Sequence, residues 1–153
     1  MRWDELSRES LLACCGSETW VGRMLAKRPF DDAPSLHHEA EAIWLSFTPR
    51  DWLEALSKHP KIGENPSSKW SAQEQKAMSD ASEDVARTMS DLNEQYERKF
   101  GWIFIICATG KSAEEMQNLL EQRLSNDPEK ELQIAANEQL KIMHLRLDKL
   151  LAE

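Results

Sequence analysis

One run in this chain of 153 residues, Trp102-Ile103-Phe104-Ile105-Ile106-Cys107-Ala108, is continuously apolar and short enough to be a buried strand, and nothing else in the sequence could pair with it. A lone strand makes no sheet. Elsewhere apolar side chains return every three or four residues, the period of a helix that buries one face. The chain therefore reads as all-α, a single-domain helical bundle of about seven or more helices over residues 1–153, with the apolar run as a buried extended segment. This length supports a hydrophobic core without disulfides or metals as staples.

The periodicity and the capping residues place the helices. Leu6, Leu11, Leu12, Cys14 and Cys15 predict a helix over 4–15 that stops at Gly16. Trp20, Val21, Met24 and Leu25 predict a second over 18–26, ended by Arg28-Pro29-Phe30. Ser35 is the expected cap of a third, carrying Ala40, Ile43, Trp44 and Phe47, and Thr48 with Pro49 starts a fourth through Trp52, Leu53 and Leu56. Ser71 and Glu74 fit a capping box that opens a long helix through Met78, Val85, Met89, Leu92 and Tyr96 to Phe100-Gly101. Ser112 with Glu115 repeats the box ahead of Met116, Leu119, Leu120 and Leu124. Asp127 and Pro128 begin the last helix, whose apolar side is Leu132, Ala135, Ala136, Leu140, Met143, Leu147 and Leu150.

Charge narrows the function. A formal net charge of −8 disfavours nucleic acid and anionic membranes as partners. No apolar run approaches the ~20 residues of a membrane span, and Met1-Arg2-Trp3-Asp4 is unlike a signal peptide. Three cysteines without metal-ligand spacing suit a reducing compartment, so a soluble cytoplasmic protein is expected. Gly110-Lys111-Ser112 is not the end of a phosphate-binding loop, because Ile105 stands where that motif requires glycine. His37 and Glu41 share a helix face, but two ligands make an incomplete metal site and a solvated face is the favoured reading, so no metal is expected. Cys107, inside the apolar run, reads as packing and not as a nucleophile.

The candidate site begins at His59-Pro60-Lys61-Ile62-Gly63-Glu64. Pro60 fixes its own φ and pushes His59 out of the helical region, so a helix arriving through Leu56 ends here and the imidazole is held on a stiff turn. That hexapeptide, with Ser71-Ala72-Gln73-Glu74-Gln75, with Leu92-Asn93, Tyr96 and Phe100-Gly101, with Phe104-Ile105-Ile106-Cys107-Ala108 and Gly110-Lys111-Ser112-Ala113, and with Glu138-Gln139, Lys141-Ile142 and Leu145-Arg146-Leu147, resembles the 2-oxo-4-hydroxy-4-carboxy-5-ureidoimidazoline (OHCU) decarboxylase family. Cys14-Cys15-Gly16-Ser17, Trp20 and Arg28-Pro29-Phe30 extend the resemblance almost end to end. Lys61 departs from the family's usual arginine, and the segment from His59 to Ser71 is short.

The resemblance implies an all-helical, cofactor-free enzyme of urate breakdown, commonly a homodimer, whose substrate is the small molecule OHCU. By position it implies His59 and Glu74 as catalytic residues. It implies Pro60, Ser71, Ala72, Gln73, Glu74, Gln75, Phe104, Ile105, Ile106, Cys107, Ala108 and Arg146 as substrate-binding residues. The chemistry fits these residue types, since moving a proton near neutral pH suits an imidazole, and a guanidinium fork suits an anionic or carbonyl oxygen. The competing reading from another class is a non-catalytic helical interaction module.

Overall fold

The computed structural model describes residues 2–59 and 82–153. Seven helices and no strand occur among the described residues, as the lone apolar run requires. None of these helices is long and apolar enough to cross a membrane. The chain divides into two compact units, one made of Met1–Lys58 with Leu140–Glu153 and the other of His59–Gln139.

The first unit holds α1 (Arg8–Cys14), α2 (Glu18–Ala26), α3 (Ala33–Leu45), α4 (Pro49–Leu56) and the end of the last helix. α1 begins later than residue 4 because Ser7 caps it. The Ser7 hydroxyl accepts from the Ser10 amide at 3.2 Å, and Ser10 Oγ accepts from the Ser7 amide at 2.9 Å, which commits both groups to a cap. Cys15 is already extended, so Gly16 has another use than stopping the helix: a Cβ on it would lie 2.6 Å from Lys58 Cβ. Only a glycine lets the turn after α4 approach so closely.

α2 and α4 have the predicted limits, α4 with the predicted cap Thr48, whose N–H is accepted by Asp51 at 3.1 Å. α3 starts earlier than predicted. Asp32 is its cap and Ser35 donates its amide to that carboxylate at 2.8 Å, because a fixed φ at Pro34 in the first turn draws the helix start ahead of Ser35. Hydrogen bonds from the Ser35 side chain and amide hold the Asp32 carboxyl below its ordinary range.

Trp20, Trp44 and Leu36 are fully buried in this unit, with Ile142, Met143, Leu147 and Leu150 from the last helix among its apolar core. The indole N–H groups of Trp20 and Trp52 donate to the carbonyls of Ala40 and Trp44 at 3.1 and 3.0 Å. Large aromatic rings are thus hidden without orphaned donors.

The second unit holds α5 (Glu83–Phe100), α6 (Ala113–Arg123) and the first part of α7 (Pro128–Ala152). The expected helix running from Ser71 to Tyr96 is not continuous. Ser82 is in an extended conformation and its hydroxyl accepts from the Val85 amide at 3.2 Å, so a new helix starts there, while the Ser71 box lies outside the described residues. Gly101, at φ +87°, closes α5 in the left-handed conformation that glycine adopts without strain. Ser112 caps α6 with half of the predicted box. Its hydroxyl accepts from the Glu115 amide at 3.1 Å, but the Glu115 carboxylate meets that hydroxyl and not the backbone N–H. Asp127 caps α7 through the Lys130 amide at 3.0 Å.

Candidate active site

His59 follows α4 by a short turn. The last helical residue is Leu56, the amides of Ser57 and Lys58 still bond back to Leu53 and Ala55, and His59 is half-buried in the bend beyond. The prediction that the helix stops before Pro60 is therefore met at His59. Pro60 itself, with Ser71, Ala72, Gln73, Glu74 and Gln75, lies outside the described residues.

The run from Phe104 to Ala108 is buried throughout, between 1% and 7% exposed. Phe104, Ile106 and Ala108 enter one core with Met89, Tyr96 and Phe100 of α5 and Met116 and Leu120 of α6. That alternation is the mark of extended backbone. Without a neighbouring strand, the buried amides and carbonyls must find partners among side chains, because an unpaired buried backbone group is costly. Three are supplied. Arg123 Nη1 donates to the Ile105 carbonyl at 2.8 Å, Lys111 Nζ donates to the Cys107 carbonyl at 2.9 Å, and the Cys107 amide donates to Glu138 Oε1 at 3.2 Å. These three backbone groups are thus bonded within the protein.

Arg123 is itself held. Its guanidinium donates twice to Glu131 Oε2, at 2.8 and 2.6 Å, and lies 4.4 Å from the centre of the Phe104 ring. Glu131 is fully buried and also accepts from the Tyr96 hydroxyl at 2.5 Å and from Asn126 at 3.1 Å. Burial, and then the bond to Glu131, push the Tyr96 phenol well above its ordinary range, so it stays a donor. Trp102 Nε1 donates to the same phenol oxygen at 3.1 Å.

Sequence reading missed the buried roles of Arg123, Glu131 and Glu138; on α7 it found Ala135, Ala136, Met143, Leu147 and Leu150, which are buried, but not the polar residues that share their face. Leu132 and Leu140 are only half-buried, whereas Glu131, Glu138 and Gln139 are buried. The signal was present: an extended segment without a second strand demands side-chain partners for its backbone, and Glu138 and Gln139 follow Ala135 and Ala136 at helical spacing.

Arg146 is 8% exposed, so it is not a solvated helix residue, and its Nη1 donates to the Ala13 carbonyl in the last turn of α1 at 3.1 Å. Its charge acts on Cys14, whose thiol burial nonetheless pushes up to about 12. Cys14, Cys15 and Cys107 are all buried and none forms a disulfide, and Cys107 packs as expected.

His37 is on a partly solvated face, its side chain 22% exposed, but it is not without partners. Its Nδ1 meets Nδ1 of His144 at 2.7 Å and its Nε2 meets Asp148 at 2.8 Å, while His144 Nε2 meets Glu41 at 3.2 Å. One Nδ1 must donate and the other accept, so this chain of four side chains ties α3 to α7 through protons. Among the described residues no three metal-ligand side chains are gathered to hold an ion.

The chain is similar throughout to known proteins. A family profile described as OHCU decarboxylase matches residues 4–148. The chain is 37% identical over 158 residues to the "Uric acid degradation bifunctional protein TTL" of Arabidopsis thaliana, covering 97% of this chain and 48% of that protein. It is 30% identical over 135 residues to a "2-oxo-4-hydroxy-4-carboxy-5-ureidoimidazoline decarboxylase" of Halalkalicoccus jeotgali, covering 86% of this chain and 77% of that one. It thus spans about half the length, or less, of the bifunctional relatives it matches. Its fold superposes with a TM-score of 0.87, at 37% identity, on a "Crystal structure of OHCU decarboxylase in the presence of (S)-allantoin", over 97% of this chain and 100% of that chain.

Proposed function

We propose, from the premise that this chain belongs to the OHCU decarboxylase family, that it is a carboxy-lyase of urate degradation that converts OHCU to (S)-allantoin and carbon dioxide. The observation that carries the reading is the end-to-end likeness, in sequence and fold, to a decarboxylase crystallised with (S)-allantoin. The substrate supplies its own electron sink. As the bond to the carboxylate breaks, its electron pair forms a double bond to the neighbouring ring carbon and the displaced carbon–nitrogen pair takes up a proton at the ring nitrogen; the resulting enol then gives up its hydroxyl proton as it becomes a carbonyl. A proton returned to one face of the neighbouring carbon sets the configuration, so no added cofactor is needed.

In this reading His59 moves the protons. Glu74 accepts from ureido or ring N–H groups and favours the charged imidazole, and Arg146 meets an anionic or carbonyl oxygen. Pro60 holds the turn, while Ser71, Ala72, Gln73 and Gln75 offer amides and polar side chains to the substrate. Phe104, Ile105, Ile106, Cys107 and Ala108 wall the site, with hydrogen bonding left to backbone groups other than those held by Arg123, Lys111 and Glu138. We take residues 1–153 to work as one cytoplasmic domain.

The reaction is tested by supplying urate, urate oxidase and the hydrolase that follows it. The protein is expected to yield optically pure (S)-allantoin, and racemic allantoin at the rate of spontaneous decay would refute the assignment. Resemblance also supports a homodimer, expected in sedimentation equilibrium as twice the chain mass of 17.6 kDa. A monomer at all micromolar concentrations would overturn that part while leaving the reaction untouched.

A further inference from the structure

Gln139 on α7 is fully buried, yet neither its amide nitrogen nor its amide oxygen has a hydrogen-bond partner among the described residues. No other buried side chain there has such unbonded atoms. Folding alone would be served as well by an apolar residue of the same shape, since a buried amide without partners forfeits its hydration for nothing. Glu138, the preceding residue, holds the Cys107 amide, so this turn of α7 lies against the buried 104–108 segment.

We propose that Gln139 is a substrate-binding residue that recognises an amide or urea edge. A carboxamide presents one acceptor and two donors from a single plane. A ureido group or a ring lactam presents the complementary pair, a carbonyl beside an N–H, so the two close a double hydrogen bond. An ester, a thioether or an alkyl analogue cannot complete it. This inference rests on the decarboxylase reading above, and it adds a residue that sets which ring substituent is accepted. A site built to bond a polar group discriminates strongly against an analogue lacking it, because its own buried group is then left unpaired.

The test replaces the amide by apolar side chains of similar size in the full chain, Gln139→Met and, should that variant fold poorly, Gln139→Leu. Three quantities are read beside the parent: Tm without ligand, the rise in Tm caused by (S)-allantoin, and kcat/KM for (S)-allantoin formation. The expected result is an unchanged or higher ligand-free Tm, loss of most of the allantoin-induced rise, and kcat/KM lower by about tenfold to a hundredfold, mostly through KM. A ligand-free Tm that falls in both variants would overturn the inference, since the amide would then be bonded within the fold, for instance through a buried water. An unchanged kcat/KM would overturn it equally. A parent that forms no (S)-allantoin removes the reaction itself, whereas an active parent with equally active variants removes only the role of Gln139.

Discussion

His59→Asn is expected to fold as the parent does and to lose decarboxylation by roughly 100- to 10,000-fold, the size of effect that follows removal of a general acid-base group. Asparagine keeps the approximate size and some of the hydrogen bonding of histidine but cannot titrate. The side chain is half-buried in a bend beyond the end of α4, and the Gly16 contact with Lys58 fixes the turn just before it, so the substitution disturbs no helix and leaves the core alone. Enantiomeric excess must be followed with rate, because OHCU decays spontaneously to racemic allantoin and that background would mask an inactive enzyme. His38→Asn is the matched control and should leave activity unchanged. His37→Asn and His144→Asn should also keep activity but lose some stability, since both rings tie α3 to α7. A folded His59→Asn that makes (S)-allantoin at the parent rate would make the histidine structural and end the mechanism.

The largest effect on stability is expected at Arg123→Met. Removing the guanidinium leaves Glu131, with no exposed surface, as a buried charge without its counter-ion, and it strips the Ile105 carbonyl of its donor. Breaking a buried ion pair from one side costs about 3–5 kcal/mol, which for a chain of this length is a fall in Tm of roughly 6–20 °C. The Coulomb attraction in the pair does not set that figure; the desolvation of the abandoned carboxylate does. The double replacement Arg123→Met with Glu131→Met should therefore recover a large part of the loss, as thermal and urea unfolding would measure. A single variant within about 1 kcal/mol of the parent would show that water or another cation reaches Glu131. Activity should fall in the single variant beyond what unfolding explains, because of the three side-chain bonds to the 104–108 backbone only those of Lys111 and Glu138 remain.

Local chemistry was legible in the sequence and remote chemistry was not. α2 and the start of α4 were read to the residue because they are decided within a few positions, by serine, threonine and proline acting on their own helix. α3 was read with the wrong cap because Asp32 and Ser35 are both good caps, and a proline between them decides the contest. The break at Ser82 was missed because Met78, Val85 and Met89 keep a helical spacing across it, and periodicity does not register a single extended residue. Among the candidate site residues, the helix end before His59 and the burial of the 104–108 run were read from the sequence, and Arg146 was named without its burial. Arg123, Glu131, Glu138 and Gln139 were passed over because each is polar in a helix, and polar helix residues face water unless something inside needs them. What needs them is the backbone of an extended segment that has no strand beside it.

The way the two units divide the chain has a consequence for synthesis on the ribosome. The unit of residues 59–139 is complete in sequence before the other can be, because α1 to α4 emerge first but wait for Ile142, Met143, Leu147 and Leu150 to complete their core. Translation at roughly 5–20 residues per second leaves the early helices several seconds with that apolar face uncovered. A nascent chain stalled near residue 139 would therefore be a client for chaperones that bind exposed apolar helices, and emergence of residues 140–153 is the event that ends that exposure.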